Sequence, residues 1–118
     1  MTARLLALVA SLLVLARADA ANFTVTTAAD GVDATINGIC DTGTGACTLR
    51  AALQEANAAS DPDTITVPGG VYLLSVPDGD DGNIDLDLAN PVTIVGAGPL
   101  ATIVDAQGGG RVFDVSAT

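Results

Sequence analysis

The sequence predicts a mainly β, repeating architecture that carries one short helix, and three observations lead to that class. From residue 64 onward, Gly, Pro and Asp break the chain into short β-favouring runs. These runs form two sets of three at a nearly constant offset. Just before them, the stretch Cys40 to Asn57 combines a possible cross-link, a helix start and a helical apolar face.

The runs are 64–67, 71–76, 84–88, 92–95, 102–105 and 111–115. Aligning Thr64-Ile65-Thr66-Val67 with Val92-Thr93-Ile94-Val95 gives an offset of 28, and aligning Ile84 with Arg111 gives 27. Such an offset suits a coil of three strands per turn. Pro68-Gly69-Gly70 and Gly96-Ala97-Gly98-Pro99 occupy equivalent separators, where Gly reverses the chain at little steric cost.

In chain order, residues 1–20 read as a signal peptide. Arg4 supplies a positive start, residues 5–16 are apolar apart from Ser11, and Ala18-Asp19-Ala20 places small residues where a signal peptidase reads. Cleavage is expected after Ala20. The run is shorter than the ~20 apolar residues of a membrane span, and Arg17 ends it, so no transmembrane helix is expected after signal removal. The protein is expected to be secreted or held at the cell surface.

Removing this segment leaves Arg50 and Arg111 against thirteen acidic side chains. Nucleic acid is excluded as a partner, because its binding requires several Lys or Arg facing phosphates. Aromatic residues make up 3% of the chain and Trp is absent, so the core must come from Val, Ile, Leu and Ala. Stacked β-branched layers suit that composition. Two coils are fewer than a repeat array usually needs, and the expectation is a truncated product or a fragment of something longer.

Residues 21–27 alternate and favour a first strand. Asn22-Phe23-Thr24 is formally a glycosylation sequon, relevant only in a host with the machinery. Residues 30–45, with Gly31, Gly38, Gly43 and Gly45 among Asp, Asn and Thr, read as a loop. In an exported protein Cys40 and Cys47 imply one disulfide, with free thiols or pairing outside the segment as alternatives. A metal site would need more ligands than two cysteines without His. Thr48 is a plausible N-cap, and Leu49, Ala52, Leu53 and Ala56 follow at i, i+3, i+4, i+7. Arg50, Gln54 and Glu55 point elsewhere, and Asp61-Pro62-Asp63 stops a helix of about ten residues. A helix of that length is marginal alone, so Leu49 and Leu53 must pack on the strands.

Cys47-Thr48-Leu49-Arg50-Ala51-Ala52-Leu53 with Asn57 resembles the motif that names the CSLREA family of exported bacterial proteins. Thr93-Ile94-Val95-Gly96-Ala97-Gly98 resembles the turn that follows it in that family. The chain departs at Thr48, Ala51 and Leu53, where the family more often has Ser, Glu and Ile, and keeps the Ala at Ala52. The resemblance implies the N-terminal part of a right-handed parallel β-helix, about two coils long, with the helix as an N-terminal cap. The domain plan is then 1–20 signal peptide, 21–63 strand, loop and capping helix, and 64–118 coils. A capping role for Thr48, Leu49, Arg50, Leu53 and Asn57 is physically sensible, because the open edge of a first coil recruits other strands unless covered.

The sharpest chemical candidate is the acidic run 78–87, whose Asp78, Asp80, Asp81 and Asp85 could attract Ca²⁺. The EF-hand pattern fails there: Gly82 stands where an oxygen ligand belongs and Ala89 where the bidentate Glu belongs. A solvated turn is the competing reading. Arg111 is the basic residue of the coils and reads as a stacking or surface residue rather than a catalytic base. Arg50 is expected to hold loop carbonyls or an Asp such as Asp41. The absence of His excludes Ser/His/Asp and Cys/His catalysis. The expected role is structural or adhesive, with glycans or matrix as partners and no catalysis in 1–118. The alternative is the front of a polysaccharide lyase or glycoside hydrolase.

Overall fold

The computed structural model describes residues 20–77 and 82–116. Among the described residues, seven strands and one helix are arranged in the order β1 (Asn22–Thr24), α1 (Leu49–Ala58), β2 (Asp63–Val67), β3 (Gly70–Leu73), β4 (Leu86–Leu88), β5 (Val92–Gly96), β6 (Thr102–Asp105) and β7 (Phe113–Val115). All pairings are parallel. β1, β2 and β5 form one sheet, β3 and β6 a second, and β4 and β7 a third.

This arrangement corrects the expected right-handed parallel β-helix. The described residues build three small, separate parallel sheets with one helix, and no closed solenoid. One reason lies in the connections. Between β3 and β4 lie residues 74–85, with no strand among those described, so the backbone ladder is interrupted. Another lies in the second layer: Val92, Ile94, Val104 and Val112 are only partly buried, and an apolar hollow of about 330 Å³ remains between Leu49, Val67, Ile94, Val104 and Phe113.

The register also differs from the offset of 28. Ile65 pairs with Ile94 and Thr64 with Thr93, an offset of 29, whereas β3 and β6 are offset by 32 and β4 and β7 by 27. Side chains alternate along a strand, so a slip of one residue would exchange the inner and outer sets. Asp63, Ile65 and Val67 are buried, and the observed register stacks Val92 and Ile94 over the first two. Stacking of Ile94 over the buried Ile65 favours it.

The core joins Phe23, Val25, Ile65, Val67, Tyr72, Leu74 and Leu86 to Leu49, Ala52, Leu53 and Ala56 of the helix. Leu49 and Leu53 are each 2% exposed, and burial of a leucine is worth roughly 1.5–3 kcal/mol. α1 packs against β2 and β4. It is buried on more than the apolar face: Arg50 and Glu55 are also buried, because residues 30–45 fold over the far side. The helix therefore lies between the strands and its own preceding loop.

Candidate functional site

The polar groups around α1 converge on backbone that would otherwise be unpaired. Thr48 starts the helix with φ −90° and ψ 164°, and its hydroxyl accepts from the Ala51 amide at 3.0 Å while donating to the Gly31 carbonyl at 2.7 Å. One side chain thus caps the helix and ties down the loop.

Arg50 follows, 1% exposed. Its Nε and Nη2 donate to the two oxygens of Asp30 at 2.8 and 3.0 Å. Its Nη1 donates to the Asp85 carbonyl at 3.0 Å and Nη2 also to the Ile84 carbonyl at 2.7 Å. The partner is Asp30 rather than Asp41. Asp41 instead accepts from the amides of Gly43 and Gly45 at 2.7 and 2.8 Å, a turn in which both glycines have φ near +90°. Those amides hold the Asp41 carboxyl below its ordinary value.

Asp30 in turn accepts from the Ser75 and Val76 amides at 2.7 and 2.9 Å. Burial opposes its charge, but the Arg50 hydrogen bonds, these two amides and the Arg50 charge prevail and lower its pKa. Two turns along the helix from Arg50, Asn57 donates to the Asp87 carbonyl at 2.9 Å and accepts from the Ala89 amide at 2.8 Å, mimicking a neighbouring strand beside β4. Asn90 closes the helix end by donating to the Ala59 and Asn57 carbonyls at 2.6 and 2.7 Å. Asp30 and Asn90 carry no signal of their own in the sequence. One is an Asp among several in a loop and the other lies 31 residues from Ala59.

The loop is cross-linked and clamped. Cys40 and Cys47 are joined with an S–S distance of 2.05 Å. Glu55 accepts from the Asn37 and Gly38 amides at 3.0 and 2.7 Å. Burial raises its pKa, the adjoining Asp33 carboxyl raises it further, and the two amides oppose.

Of the Ca²⁺ candidates, Asp78, Asp80 and Asp81 lie outside the described residues, and Asp85 is 3% exposed. Asp85, Asp87 and Asp114 each bring a carboxylate oxygen within 4.8 Å of the others. The cluster already contains a cation: Arg111 donates from Nε to Asp85 at 2.6 Å and from Nη2 to Asp114 at 2.9 Å. Arg111 is thus an ion-pairing bridge between the strand layers. A guanidinium so engaged is a poor base, since Arg keeps its proton in proteins.

What the whole arrangement can do chemically is satisfy backbone. Arg50, Asn57 and Asp30 take up carbonyls and amides of residues 75–76 and 84–89, and β1 covers β2. Comparison with known proteins gives no match to a protein-family model, a curated protein or a solved structure. Function therefore rests on the chain's own chemistry.

Proposed function

We propose that this chain is an exported structural module of a secreted or surface protein, in which α1 and its disulfide loop close one end of parallel strand layers. Its role is structural, adhesive or glycan-binding, and residues 1–118 contribute no catalysis. The observation that carries the reading is the engagement of Arg50, a buried cation whose partners include Asp30 and the carbonyls at 84–85. An arginine serving a ligand would present its fork outward. The Cys40–Cys47 bond supports an oxidising compartment, and no helix among the described residues is long and apolar enough to cross a membrane. The leader-like residues 1–20 and the resemblance around Cys47 to Asn57 point the same way.

Fractionation of the native host, with peptide mapping under non-reducing conditions, tests export. The expected product lies outside the cytoplasm with Cys40 linked to Cys47. Cytoplasmic protein with reduced thiols would overturn the reading. Release of unsaturated sugars from polyuronates by the purified native protein would show that a lyase, not a structural module, is at work.

A further inference from the structure

Asp63, the first residue of β2, is 1% exposed, and its Oδ1 accepts from the Ala21 nitrogen at 2.8 Å. Its other oxygen, Oδ2, is buried without a hydrogen-bond partner. An ionised carboxylate offers about four acceptor sites, and a buried one left under-satisfied destabilises the fold. Ala21 is fixed from its other side, because its carbonyl accepts from the Thr64 amide at 2.9 Å and β1 begins at the next residue. Ala21 lines a cleft of about 550 Å³ with Ala20, Glu55 and Asp63, and both side-chain ionisable groups of that lining are acids. What is missing at this nitrogen is further N–H donors and a positive charge.

Hydrolysis of the Ala20–Ala21 bond supplies both. The C–N bond breaks, the hydroxyl of water joins the Ala20 carbonyl carbon, and the hydrogen goes to the Ala21 nitrogen. At neutral pH the new carboxyl loses its proton and the amine gains one, giving Ala20 carboxylate and Ala21 ammonium. We propose that processing by an export peptidase after Ala20 creates an α-ammonium at Ala21 that pairs with Asp63 and locks β1 onto β2, making the processed chain more stable than its precursor. The inference rests on the export reading and adds a structural purpose to the cleavage position. The residues before the bond, Ala18-Asp19-Ala20, have the small-x-small pattern such a peptidase reads, and Ala20 itself is exposed.

The test compares the chain starting at Ala21 with the same chain keeping one glycine before Ala21. The processed form is expected to melt about 4 °C or more above the extended form, and Asp63→Asn should abolish the gap. The chain contains no lysine, so after processing the α-amine is its sole primary amine and amine-directed acylation reports on that group alone. Acylation is expected to be at least about tenfold slower in the folded state than in urea, because only the free-base amine reacts. Equal melting temperatures together with equal acylation rates would overturn the proposal. If Asp63→Asn does not fold, the acylation rates of the unsubstituted protein decide. N-terminal sequencing separates the two readings: an exported product starting at another residue overturns this proposal and leaves export standing, whereas protein retained in the cytoplasm overturns both.

Discussion

Arg50→Ala would strand the Asp30 carboxylate beside buried carbonyls, and breaking a buried pair in this way costs about 3–5 kcal/mol. Arg50→Lys keeps the charge but loses the fork that spans Asp30 and residues 84–85, so it is expected to recover only part of that loss. Urea unfolding of the three proteins measures both differences. Asn57 offers a finer test. Asn57→Asp can still accept from the Ala89 amide but cannot donate to the Asp87 carbonyl, and leaving that group unmet should cost about 1–3 kcal/mol in the same assay. These residues differ in how readable they were. Thr48 announced itself by standing before an apolar helical period. Arg50 was legible as a residue needing an acid or carbonyls, yet its acid was misassigned: Asp41 is nearer in sequence, while Asp30 is chosen because residues 75–76 also need an acceptor there. A side chain that serves three segments cannot be found from local pattern.

At the scale of elements, α1 and the loop over it behave as one unit. Reducing Cys40–Cys47 should destabilise the fold by about 2–3 kcal/mol, the chain-entropy value for so short a loop, and a reduced Cys40→Ser, Cys47→Ser protein should match reduced wild type in thermal unfolding. The same unit sets a pH dependence with two limbs. Glu55 has a pKa raised above 4.5, so its favourable contribution is present below 4.5 and fades as pH rises through the raised value. Asp30 has a pKa lowered below 3.8, so its contribution is present above 3.8 and is lost as pH falls through the lowered value. Glu55→Gln should flatten the upper limb of a stability–pH curve, and Asp30→Asn the lower. The helix itself, ten residues from Leu49 to Ala58, was legible from cap, period and the Asp-Pro stop. The burial of Glu55 was not, because it depends on where residues 37–38 return in space. The strand register was off by one for a related reason: Thr64-Ile65-Thr66-Val67 and Val92-Thr93-Ile94-Val95 look alike in either alignment until inward and outward faces are known.

For the molecule as a whole, the two sides of the strand layers are unlike. One side is closed by β1, Asp30, Arg50 and Asn57, whereas among the described residues β5, β6 and β7 each pair with a single strand. Val95, Ile103, Phe113 and Val115 on those strands are exposed, a combination that favours association through unpaired edges. Val95→Lys with Ile103→Lys is expected to reduce concentration-dependent association in sedimentation velocity without lowering the melting temperature. A variant that associates as strongly as the parent would place the contact elsewhere.

The hydrogen bonds that the Ser75 and Val76 amides donate to Asp30 span 45 and 46 residues, and those that Arg50 donates to Ile84 and Asp85 span 34 and 35. A chain delivered in order from its beginning therefore presents its lid long before the parts the lid must close. Until residue 85 has emerged, Arg50 lacks the carbonyls of Ile84 and Asp85, and loop-closure entropy works against holding it in place. Such a segment stays pliable while its rear is missing and becomes rigid only after that rear arrives. Timing, as much as shape, is written into which residues hold the cap.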